Sequence, residues 1–183
     1  MNSILEILPA EKYIYFIAEF VSWWEKLLRS GLMNKFPFVI RVYGLYINPS
    51  NEVLVSDEFV YGHRVTKFPG GGLEFGEGTI DCLRREMMEE VGHSFEVLEH
   101  FYTTDFFVPS AFNPEIQVMS VYYLMQPLGE LDLKTSSKPF DFDSQKEGAQ
   151  SFRWIALEKM NTEDFHLVID RHVAGLLKNR HSS

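Results

Sequence analysis

One cysteine in 183 residues, Cys82, leaves nothing for it to pair with, so the chain has no disulfide framework and fits a reducing compartment. Positive charge is also scarce, with 17 Lys and Arg against 26 Asp and Glu and a net charge of −9. That balance argues against nucleic acid or an anionic membrane as a partner, because both need a basic footprint. It leaves room for a small anionic ligand, since bound metal ions reverse the sign locally. No apolar run is long enough to cross a bilayer: residues 13–24 are interrupted by Glu19. No basic leader region precedes that run, the first lysine being Lys12. Internal repeats, low-complexity tracts and an inter-domain linker are missing too. The chain reads as a soluble, cytoplasmic protein of one domain with a terminal appendage.

What the chain does have is aromatic and apolar residues, with 16 Phe and 8 Tyr and a hydrophobic share of 45%. These suffice for a packed core and supply rings that can stack on flat ligands. Residues 1–33 are expected to form an N-terminal helical extension. Phe16, Phe20, Trp23, Trp24, Leu27 and Leu28 recur there at three- and four-residue spacings. Such a face either packs on the protein's own core or forms the contact of a homodimer. Residues 34–183 are expected to form the main domain. Within it, 36–47 and 53–56 read as an antiparallel hairpin about the turn 48–51, and 57–67 as a polar loop. Two further strands are expected over 95–107 and 117–125, an irregular stretch over 128–150, a short strand at 152–155 and a closing helix over 161–178.

The chemistry concentrates in residues 70–93, GGGLEFGEGTIDCLRREMMEEVGH. A glycine-rich loop there runs into a helix whose N-cap is Gly78 or Thr79 and whose stop is Gly92. Glu86, Glu89 and Glu90 stand at i, i+3 and i+4, on one helical face. Three such carboxylates repel one another unless a cation lies among them, and a hard divalent ion suits oxygen donors. Ile80, Leu83, Met87 and Val91 form the apolar stripe expected to bury the helix against a sheet.

This stretch resembles the signature of the Nudix hydrolases, G-x5-E-x7-R-E-U-x-E-E-x-G-U, where U is a bulky aliphatic residue. Gly71, Glu77, Arg85, Glu86, Glu89, Glu90 and Gly92 match every glycine and polar position, and His93 replaces the usual aliphatic residue at the end. The resemblance implies an α/β fold, the Nudix-type α/β/α sandwich with a mixed β-sheet, here with the N-terminal extension added. It also implies metal-dependent attack of water on a phosphorus of a pyrophosphate in a nucleoside diphosphate derivative.

Residue by residue, the resemblance makes Glu86, Glu89, Glu90 and the Gly70 carbonyl the ligands of Mg²⁺ or Mn²⁺. Arg85 becomes a support that holds Glu77, and Glu74 an assistant to metal or water. Many relatives add a carboxylate before the last strand as ligand or base, and Glu147 is the candidate, with Asp141 and Asp143 as rivals. Arg64 and Lys67 are the candidate phosphate contacts, and Cys82 is read as packing. The substrate is expected to be a small nucleotide-type molecule, either a nucleoside diphosphate sugar such as ADP-ribose or a modified (d)NTP. Aromatics at Phe101, Tyr102, Phe106, Phe107 and Phe112 are available to stack a base. The rival readings are a ligand-binding regulatory module without turnover and an isoprenoid-type isomerase, which would need a reactive cysteine.

Overall fold

The computed structural model describes residues 38–181. The expected N-terminal helix, and the homodimer contact expected on it, lie outside those residues. Among the described residues, seven strands form two sheets: β1 (Phe38–Leu45), β2 (Glu52–Val60), β3 (His63–Lys67), β4 (Gly70–Gly72), β5 (Phe95–Thr103), β6 (Gln117–Pro127) and β7 (Ala149–Ala156). The first sheet has the order β4-β1-β6-β5 and is mixed, because β1 and β6 run parallel while its other pairs are antiparallel. The second has the order β3-β2-β7 and is antiparallel throughout.

Alternation along β1 builds the layers. Val42 points to one face, where it packs with Cys82, Leu83 and Met87 of helix α1 (Thr79–Glu90) and with Phe95 and Met125. Tyr43 and Leu45 point to the other, into a core shared with Val53, Val55, Phe68, Tyr122 and Phe165 and with Val173 and Leu177 of helix α2 (Val168–His181). The mixed sheet thus has a helix on each side. Gly44 leaves room there for Met125, since a Cβ would fall 2.2 Å from its sulfur.

Four local expectations need correction. The turn at 48–51 is present, with the amides of Ser50 and Glu52 donating to Asn48 Oδ1. The strands it joins, however, meet only at the Ile47–Val53 bridge and then diverge into different sheets. Both edges of β1 are already taken by β4 and β6, so β2 pairs elsewhere. The expected loop 57–67 is instead the end of β2, a two-residue turn and β3. Tyr61 and Gly62 both have positive φ, 51° and 77°, the backbone that tight antiparallel hairpins use. In α1, Ile80 stays 42% exposed, and Cys82, lodged against the Gly72 carbonyl, joins Leu83 and Met87 in the buried face. The closing helix begins later than expected. A 3-10 turn (Thr162–Asp164) comes first, and the chain then extends through His166, whose Nδ1 accepts from the Thr66 amide and whose own amide donates to the Thr66 carbonyl. That edge pairing delays the helix to Val168. Residues 128–148 are irregular, as expected. No described helix is long and apolar enough to cross a membrane.

Candidate active site

The glycine strand and α1 face each other so closely that side chains decide the geometry. Glu86 lies against Gly71, where a Cβ would fall 2.3 Å from the carboxylate atoms, so glycine is what gives the carboxylate its room. Glu90, one turn further on, accepts the Gly70 amide at 3.1 Å on Oε2. Burial pushes the Glu90 carboxyl above the ordinary range against the pull of Lys67. Gly70 itself has φ +132°, and a Cβ there would fall 2.2 Å from the Val42 carbonyl oxygen of β1. Glu89 turns outward, 60% exposed, its Oε2 3.3 Å from Arg85 Nη1.

Arg85 ties the loop to the helix with all five of its N–H donors. Nε and Nη2 grip Glu77 at 3.1 and 2.6 Å, Nη2 also reaches the Gly72 carbonyl at 3.0 Å, and Nη1 donates to Glu86 at 2.8 Å and to Glu89. This fork holds the Glu77 carboxyl down at about 2. Cys82 is buried beneath the fork, and burial pushes its thiol up to about 12, which removes the thiolate an isomerase would use. His93 closes the helix end by pairing with the Leu128 carbonyl at 3.1 Å and setting its ring edge-on to Phe95.

Lys67 is buried, 4% exposed, with its ammonium 2.6 Å from the Gly70 carbonyl, 2.9 Å from Glu58 Oε1 and 3.3 Å from Glu90 Oε1. Glu58 is absent from the sequence-based set of candidates. It sits on β2 in what reads as a polar loop, and no motif marks it. Glu58 Oε1 also accepts from Ser56 Oγ and Gln150 Nε2, at 3.0 and 3.1 Å.

A cleft of about 1090 Å³ begins at Glu58 and Lys67 and runs between β2, β3, the 108–118 segment and the start of α2. Glu58, Val60, His63, Val65 and Lys67 line it. These are one alternating face of the β2–β3 hairpin. Toward the cleft, Arg41 Nε donates to the Tyr43 hydroxyl at 2.6 Å, Tyr43 stacks on Tyr122 with centroids 5.2 Å apart, and the Tyr122 hydroxyl donates to Asp170 Oδ1 at 2.6 Å. At its outer wall the rings of Tyr61 and Phe112 meet at 4.7 Å.

The remaining candidates are scattered. Arg64 belongs to the opposite face of β3, where it donates to Gln145 Oε1 at 2.9 Å and lies over the Phe140 ring. The structure therefore turns it away from the cleft, and strand alternation is the reason. Glu74 is exposed, its amide donating to Glu77 Oε1 at 2.8 Å. Glu147 is not brought to the other carboxylates: its Oε1 accepts the Tyr61 amide at 2.8 Å, at the far end of the hairpin. Six residues of strand separate Tyr61 from Lys67, roughly 20 Å at the usual rise. Asp141 accepts from Ser136 Oγ within its own loop. Of the five aromatics available for stacking, Phe112 alone lines the cleft, while Phe101 packs on the main core and Tyr102 and Phe106 lean on His172.

Among the described residues, no three acidic, histidine or cysteine side chains are drawn together as a metal cage. Glu86 and Glu89 instead share Arg85, and Glu90 shares Lys67. The donors nonetheless fit a hard divalent ion: they are carboxylate and carbonyl oxygens, and the cradle at Gly71 leaves room for Glu86.

Comparison with known proteins gives the family of the chain. The NUDIX domain model matches residues 37–174. The chain therefore belongs to the NUDIX domain family, and by class it is a Nudix pyrophosphohydrolase. The 8-oxo-dGTP diphosphatase of Escherichia coli (strain K12) is 27% identical over 130 residues, 67% of this chain and 83% of that protein. Among solved structures, the MutT protein from Methanosarcina mazei Go1 superposes with a TM-score of 0.58 at 19% identity, covering 80% of this chain and 97% of the other. An ADP-ribose pyrophosphatase from Streptococcus suis 89-1591 superposes at 0.52 and 16% identity, covering 79% and 92%.

Proposed function

We propose that the chain hydrolyses the pyrophosphate bond of a nucleoside diphosphate derivative with the help of Mg²⁺ or Mn²⁺. The observation that carries this reading is the packing of Glu86 and Glu90 on the glycine strand, at the end of the cleft marked by Glu58 and Lys67. Glu86, Glu90 and the Gly70 carbonyl would hold the metal, with Glu89 available from the exposed side. A divalent ion held there would supply charge to neutralise phosphate oxygens and lower the pKa of water. The chain's own part is positioning. Arg85 keeps the glutamates in place by locking Glu77 and the Gly72 carbonyl onto the helix. Water oxygen bonds to phosphorus, the bridging P–O bond breaks, and the proton leaves the water for solvent or a nearby carboxylate. Glu58 is closer to the glutamates than Glu147 is and takes its place as the candidate partner.

The cleft has the size for a nucleoside, and the Tyr61–Phe112 pair offers rings for a base. A modified (d)NTP and a nucleoside diphosphate sugar such as ADP-ribose are the two substrate types proposed. The names of the E. coli and S. suis relatives support one each. The test is a panel of nucleoside diphosphate derivatives incubated with Mg²⁺ or Mn²⁺, with release of monophosphate and pyrophosphate measured. Metal-dependent turnover that drops by orders of magnitude in Glu89→Gln and Glu90→Gln, with the fold intact, is expected. Near-normal rates in both variants would sink the metal-site assignment.

A further inference from the structure

Lys67 puts a positive charge where the proposed site would put part of a metal. Its ammonium has three N–H donors. All three are engaged, by the Gly70 carbonyl at 2.6 Å, Glu58 at 2.9 Å and Glu90 at 3.3 Å. No donor is left for a phosphate oxygen, which argues against the phosphate contact expected from the sequence. The side chain is also enclosed, with the Tyr43 ring 5.7 Å from Nζ. Swinging it out would break three charge-assisted contacts and leave Glu58 and Glu90 facing each other with no positive charge between them.

The three oxygens around Nζ are two carboxylates and one backbone carbonyl, the donor types that hard divalent cations take. Gly70 and Glu90 are moreover two of the four ligands assigned to the metal. We propose that the Lys67 ammonium is a built-in cation occupying the Gly70–Glu58–Glu90 part of the pocket. The chain then binds one divalent ion fewer than its oxygen donors would otherwise hold. This inference rests on the metal-site reading above and narrows it: the divalent ion is held mainly from the Glu86 and Glu89 side, and Lys67 neutralises the inner side permanently. Lys67 is thus a positioning residue that sets metal number.

The test uses the full-length protein and Mn²⁺ alone. Calorimetric titration, with free Mn²⁺ followed by electron paramagnetic resonance, counts the ions bound to wild type and to Lys67→Met, which keeps the stem and removes the charge. Lys67→Met is expected to bind one additional Mn²⁺ per chain, and adding Glu58→Gln should remove that extra ion. Equal numbers bound with equal affinity in wild type and Lys67→Met would overturn the proposal and leave the metal-site reading standing. Absence of Mn²⁺ binding in every variant would overturn both. If Lys67→Met does not fold, the wild type decides by nitrogen-15 spectroscopy of its lysine ammonium groups. A protected Lys67 signal that survives saturation with Mg²⁺ supports the proposal, and its loss on adding Mg²⁺ refutes it.

Discussion

Asp170 offers a pH dependence that can be worked out from its surroundings. It stands in the first turn of α2 and is 0% exposed. The Tyr122 hydroxyl donates to Oδ1, while Oδ2 has no hydrogen-bond partner among the described residues. Burial pushes this carboxyl from its ordinary 3.8 to about 7, against the opposing pull of Tyr122, Lys67 and Arg41. Because the folded value lies above the unfolded one, the folded state binds the extra proton between the two. The stability contribution is therefore complete below about pH 4, falls as pH rises and is gone above about pH 7. At about 1.4 kcal/mol per tenfold change in acidity, the whole loss is about 4 kcal/mol, of which about 3 kcal/mol falls between about pH 5 and about pH 8. Asp170→Asn keeps an oxygen for Tyr122 and cannot ionise. Urea unfolding of both proteins, followed by tryptophan fluorescence at fixed ionic strength, should show wild type losing about 3 kcal/mol more than the variant over that range. Stability curves that run parallel to within about 0.5 kcal/mol would refute the claim that this carboxyl is buried and neutral.

Two further outcomes follow from contacts of the same kind. Gly71→Ala places a methyl group 2.3 Å from the Glu86 carboxylate and must displace it. Turnover should fall about 100-fold while the melting temperature stays near wild type, and an unchanged kcat would refute the placement of Glu86. Arg153→Leu removes the guanidinium that donates to buried Asp57 Oδ2 at 2.7 Å, leaving the carboxylate with Thr66 and the Phe140 amide. Unfolding in urea should show a loss of about 3–5 kcal/mol, partly recovered by adding Asp57→Asn. A loss below about 1 kcal/mol would mean the pair is effectively solvated.

Where periodicity and burial agree, the fold could be read from the residues. Strands β5 and β6 are rich in aromatic and β-branched residues, and α1 has both a glycine stop and an apolar stripe, so each stands close to its expected place. The β2–β3 hairpin was hidden because, Val65 apart, its buried positions from 56 to 67 are polar. Asp57, Thr66 and Arg153 satisfy one another across three strands, and a partner distant in sequence leaves no local pattern. The late start of α2 has a similar origin. Nothing in the residues near His166 announces that its backbone and ring will pair with Thr66 of β3.

The candidate site divides along the same line. The loop–helix unit is contiguous, so the signature it resembles was enough to suggest Glu86, Glu90, Arg85 and Glu77, whereas Glu58 depends on a strand that was read as loop. Arg64 and Lys67 make the sharpest comparison: in the sequence they are two cations three residues apart with the same claim on a phosphate. The hairpin register separates them. With Val60 opposite His63, residues 63, 65 and 67 face the cleft and Arg64 faces Phe140 on the other side. A slip of one residue would exchange those faces, bringing Arg64 into the cleft and taking Lys67 away from Glu58 and Glu90. The cation beside the proposed metal ligands is therefore chosen by the two-residue turn at Tyr61 and Gly62. That turn lies six residues from Lys67 along the strand and outside the signature that marks the chemistry.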